Sequence, residues 1–111
     1  MLAVVKDLFF VAKIRETGRL AGVPVQFVKT PDEVAAEAPG GARFALLDLT
    51  AGLDYGTILG ALETHHIPVL GFTTHALARQ TQPWHPRCDR VVTKETLSEE
   101  LPALLRQGIA A

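Results

Sequence analysis

The run Arg43-Phe44-Ala45-Leu46-Leu47-Asp48-Leu49-Thr50 has no polar face. A strand apolar on both sides must be covered on both sides, and a parallel sheet between two helical layers supplies that cover. Gly40-Gly41 before the run and Gly52 after it mark its limits. Its single carboxylate, Asp48, stands near the end of the strand. That end is the C-terminal edge of the sheet, where open α/β folds place ligands and chemistry.

The rest of the chain repeats the same unit. Leu2-Ala3-Val4-Val5 reads as a first buried strand, stopped by Lys6-Asp7. A helix is expected from about Leu8 to Ala21, with Phe10, Ile14, Thr17 and Ala21 inward; Gly22 and Pro24 end it. Val25 to Val28 forms a second strand. Thr30-Pro31-Asp32-Glu33 predicts a helix start, with a Thr cap, Pro in the first turn and Glu three residues past the cap. After the Asp48 strand, Asp54 is placed to cap a helix burying Ile58, Leu59 and Leu62 and ending at His65-His66. Ile67 to Phe72 is a fourth strand. The stretch from His75 to Arg87 begins as a helix and is cut by Pro83 and Pro86 around Trp84. Val91-Val92 centres a fifth strand. Thr96-Leu97-Ser98-Glu99 offers a capping box to a closing helix lined by Leu97, Leu101, Leu104 and Leu105, and Pro102 argues for a start only at Glu99 or Glu100.

Five β/α units in 111 residues predict a single-domain, three-layer α/β/α sandwich with a five-stranded parallel sheet. With 11 basic and 12 acidic residues the net charge is −1, so neither nucleic acid nor an anionic membrane is an expected partner. The apolar start is too short for a signal-peptide core or a membrane span, and the lone Cys88 suits a reducing compartment. A cytoplasmic protein is expected. No glycine-rich loop follows the first strand, and the four histidines lack metal-ligand spacing.

Right-handed crossovers put every strand's C-terminal end on one edge, so Asp7, Asp48, Thr73 and Lys94 are expected to meet there. This arrangement resembles the receiver domain of two-component response regulators, and the resemblance spans essentially the whole chain. It implies the CheY-like strand order 2-1-3-4-5 and a role for each of the four residues. Asp48 in ALLDLT matches the phosphoacceptor, Thr73 in IPVLGFTTHA the hydroxyl residue, and Lys94 in CDRVVTKETLSEEL the lysine; the last two would bind phosphoryl oxygens. Asp7 and Asp48 would hold Mg²⁺. The chemistry suits the residues: a carboxylate nucleophile, a cation to neutralise phosphoryl charge, and an ammonium and a hydroxyl as donors.

Two departures weigh against that activity. Lys6-Asp7 stands where the family usually has two acids, and a like charge 4 Å from the site is worth roughly 4 kcal/mol at an effective dielectric near 20. Glu95 follows Lys94 where the family usually has a cis proline; a non-proline cis bond costs about 2.5–4 kcal/mol, so a trans bond is expected and Lys94 is free to point elsewhere. Phe9 and Phe10 are placed to shield the site. The reading preferred is therefore a stand-alone pseudo-receiver, not an enzyme, with phosphorylation at Asp48 weak or lost. The alternative is a working Mg²⁺-dependent phosphoacceptor served by a histidine kinase, and a small flavodoxin-like cofactor-binding domain or enzyme is a third.

Each of these residues also has a plainer role: Asp7 as a helix N-cap, Asp48 as a solvated strand-end carboxylate, Thr73 as a cap, Lys94 as a surface lysine. A surface over residues 75–95, anchored by Trp84 with Arg79, Arg87 and Arg90, is the expected contact with a partner protein or a second copy. The plainer role for Trp84 is to fold back onto the sheet edge. No effector domain is expected.

Overall fold

The structure, a computed structural model, describes residues 1–109. Strands and helices alternate: β1 Leu2–Val4, α1 Leu8–Ala21, β2 Gln26–Val28, α2 Pro31–Glu37, β3 Ala45–Asp48, α3 Tyr55–Thr64, β4 Val69–Thr73, α4 Ala78–Thr81, β5 Arg90–Thr93 and α5 Lys94–Gln107. A 3₁₀ turn, Ala38–Gly40, follows α2, and a 3₁₀ segment, Gln82–Arg87, follows α4. All strands are parallel, in the order β2-β1-β3-β4-β5. The expected three-layer architecture and strand order are therefore present.

The apolar run around Asp48 takes the place its composition demands. Every residue of β3 is buried, between β1 and β4. Successive side chains point to opposite faces. Leu47 joins a core with Val34 of α2 and Ile58, Leu59 and Leu62 of α3. Leu46 joins a second core with Phe10 and Ile14 of α1 and Leu97, Leu101 and Leu105 of α5. Thus α1 and α5 share one face of the sheet.

The helix starts follow local chemistry. Thr30 caps α2 by accepting from Glu33 N at 3.1 Å, and Asp54 caps α3 by accepting from Thr57 N at 3.2 Å, both as expected. The buried stripe of α1 differs: Phe10, Val11, Ile14 and Gly18 point inward, while Thr17 and Ala21 are only partly buried. Gly18 permits this rotation, because a Cβ there would lie 2.8 Å from Val25 Cγ2 and 3.1 Å from Val23 O.

The start of α5 also departs from expectation. It begins at Lys94 rather than Glu99 or Glu100, and its cap is Thr93, which accepts from Thr96 N at 3.2 Å. Thr93 ends β5 in the extended conformation an N-cap needs, so strand and helix meet without a loop. The helix continues through Pro102. A helix-interior proline costs about 3 kcal/mol, whereas burying one leucine contributes roughly 1.5–3 kcal/mol. Four leucines of α5 are buried, so packing outweighs the break.

Candidate functional site

Parallel topology delivers Asp48 and Thr73 to the same edge as the ends of β3 and β4, with Asp7 just past β1 and Lys94 directly after β5. The four residues reach one edge as expected. They do not form one constellation there: their hydrogen bonds sort them into three separate groups.

Asp7 and Lys94 make the first group. Lys94 Nζ donates to Asp7 Oδ2 at 2.8 Å, across 87 positions of sequence. Asp7 Oδ1 accepts from Phe9 N at 2.9 Å and Phe10 N at 3.2 Å, capping α1. Both oxygens of Asp7 therefore already have donors. The ammonium of Lys94 also lies 5.2 Å from the centre of the Phe10 ring. That ring is buried and stacks on Phe72 at 5.2 Å. The Lys94 hydrogen bond, followed by the Phe10 backbone amide, holds the Asp7 carboxyl below its ordinary value of 3.8. The Lys94-Glu95 bond is trans, since the described residues contain no cis peptide. Lys6 is exposed.

Asp48 makes the second group. It is buried, with 5% of its surface exposed, and its Oδ1 accepts from Thr50 N at 2.8 Å and Thr50 Oγ1 at 2.6 Å. An aspartate bonding the backbone two residues on is an Asx-turn, and the Asp-Leu-Thr order is the signal that announces it. The Tyr55 hydroxyl donates to Asp48 O at 2.7 Å and accepts from Ala51 N at 3.0 Å, fixing the loop after β3. Burial pushes the Tyr55 hydroxyl's pKa above its ordinary value.

Thr73 belongs to the third group. Thr81 Oγ1 lies 3.0 Å from Thr73 Oγ1, 2.8 Å from His85 Nε2 and 3.2 Å from Ala78 O. Thr73 and Thr81 are both buried, at 4% exposure. Thr50, Tyr55, Thr81 and His85 escape a reading of the sequence. Thr50 and Tyr55 are local to the Asp48 turn, but the link from Thr73 through Thr81 to His85 needs the backbone path of α4.

The presumed shield and the presumed contact surface resolve differently from one another. Phe10 is buried beside Lys94, whereas Phe9 is 91% exposed and covers nothing. Trp84 is half-buried against the α2/α3 core, its ring 5.7 Å from that of Tyr55. Arg79 is exposed; Arg87 pairs with Glu63 and Arg90 with Glu100. Cys88 is half-buried next to Trp84, and burial pushes its thiol up to about 11. A thiol held that high is a poor nucleophile at neutral pH.

A crevice of about 500 Å³ opens beside Lys94, lined by Phe10, Thr74, His75 and Thr93 among others, and a smaller one of about 210 Å³ by Thr50, Tyr55, Thr81 and Trp84. Asp48 and Thr73 line neither. Among the described residues, no three His, Cys, Asp or Glu side chains gather as a metal site would require, and no helix is long and apolar enough to cross a membrane.

No protein-family model and no curated protein matches this chain. Among solved structures it is similar to the crystal structure of a response regulator in red light signaling of R. palustris, with a TM-score of 0.72 at 16% sequence identity, over 99% of this chain and 94% of that one. Likeness at this identity is likeness of fold, and it runs from end to end. The chain has the receiver-type fold of response regulators.

Proposed function

We propose that this chain is a receiver-like signalling protein that acts by binding a partner protein rather than by catalysis, with phosphorylation at Asp48 weak or lost. One observation carries the reading: the protein's own donors occupy both oxygens of Asp7 and one oxygen of Asp48. Asp7 has the α1 amides on one oxygen and Lys94 on the other, and Asp48 holds Thr50 on Oδ1, while no donor among the described residues reaches its Oδ2. Mg²⁺ keeps octahedral geometry at short distances and takes one or two carboxylates as ligands. With Asp7 spent on Lys94 and α1, the set as arranged offers a metal only Asp48 Oδ2, and Lys6 next to Asp7 adds a cation where a metal needs anions. The likeness to a response regulator supports a place in signalling, and the face over residues 75–95, with Arg79 exposed on it, is the surface we assign to the partner.

Incubating the chain with Mg²⁺ and a small phosphodonor, then weighing it intact, tests this. The expected spectrum carries no adduct. A single phosphoryl adduct that disappears in Asp48→Asn overturns the reading in favour of a working phosphoacceptor.

A further inference from the structure

Large apolar side chains left in water are confined to one helix. Among the described residues, Leu8, Phe9 and Leu20 are the large hydrophobics that stand exposed, at 73%, 91% and 70%, and all three lie on α1. Phe9 and Leu20 are eleven residues apart, which is about three helical turns, so they share the outward stripe of the helix. Between them on that stripe lie Lys13 and Glu16, both exposed. The positions 9, 13, 16 and 20 are spaced four, three and four, the spacing of a seam along which two helices pack at a shallow angle.

The order of the four residues is apolar, cation, anion, apolar. A twofold axis through the middle of the stripe turns it into its own complement. In an antiparallel pair, Phe9 of one copy meets Leu20 of the other, and Lys13 meets Glu16, each contact occurring twice. Such a self-matching patch is the requirement of an isologous dimer. Neither charge is lost to the fold: Lys13 forms no ion pair among the described residues, and Glu16 is held only by the exposed Arg19 on the same helix.

We propose that α1 is a homodimerisation helix, pairing antiparallel with α1 of a second copy through Phe9–Leu20 and Lys13–Glu16 contacts. The inference is independent of whether Asp48 is phosphorylated. One face of a 14-residue helix makes an interface at the small end of the specific range, below about 1,200 Å² in total, so monomer and dimer exchange.

Sedimentation equilibrium of the full chain across a concentration series tests the pairing. A monomer–dimer equilibrium with a dissociation constant on the order of 100 μM is expected. Phe9→Asp and Leu20→Asp each raise it at least ~10-fold, since both would bury an unpaired charge among apolar contacts. Lys13→Glu and Glu16→Lys each weaken the dimer, and the double variant, which restores opposite charges across the axis, recovers it. Far-ultraviolet circular dichroism confirms that these surface variants stay folded. A chain that remains monomeric throughout, a dimer indifferent to Phe9→Asp, or a double variant no tighter than the singles overturns the proposal.

Discussion

Lys94 decides what the sheet edge is at the scale of single residues. A lysine after the last strand was legible in the sequence, and so was its freedom to turn away in the absence of a following proline. Its destination was not, because Asp7 lies 87 positions earlier and nothing local connects them. The pair has a pH signature whose sign is fixed. The folded Asp7 titrates below its ordinary 3.8, so its contribution to stability is complete above that value and is lost as pH falls through the lower folded value. Lys94→Met removes the larger cause and leaves the α1 amides. Its Asp7 carboxyl, followed by NMR, is expected to titrate at higher pH than in the parent, and the acid-induced fall in urea midpoint below about pH 4 should shrink.

Among the elements, α1 shows how an adjustment of packing escapes a periodicity count. Helical spacing from Phe10 and Ile14 leads on to Thr17 and Ala21, but the helix turns Val11 and Gly18 inward instead. Gly18 weakens the isolated helix, yet here it admits the chain that returns to β2, with Val25 close above it. Gly18→Ala should therefore destabilise by about 1–3 kcal/mol, despite alanine's better propensity, because the new methyl overlaps the Val25 side chain and crowds the backbone carbonyl of Val23. Urea denaturation gives the answer; a variant as stable as the parent or more so would show that Val25 moves freely. The early start of α5 has the same moral. A capping box at Thr96 to Glu99 looked sufficient, but Thr93 already had the extended backbone of a cap.

For the whole molecule, burial is graded across the sheet. The central β1, β3 and β4 are buried throughout, while the edge strands β2 and β5 have half-exposed positions and, in β2, the exposed Gln26. Native-state hydrogen exchange should follow this order, with the slowest amides in β3 and β4 and the fastest in β2 and β5. Uniform protection across all five strands would contradict it. The architecture itself was written in the chain: apolar runs about twenty residues apart, each followed by a helical stripe, admit a parallel sheet with helices on both faces, and that topology alone sends positions 7, 48, 73 and 94 to one rim. What the sequence could not determine is which of those side chains touch. Strand ends are set by local patterns of two and 3.6 residues, but contacts at the rim depend on distances between segments far apart in the chain. Only the tertiary structure gives Lys94 to Asp7, Thr81 and His85 to Thr73, and Trp84 to Tyr55, whereas the Thr50 contact of Asp48 is local to its turn.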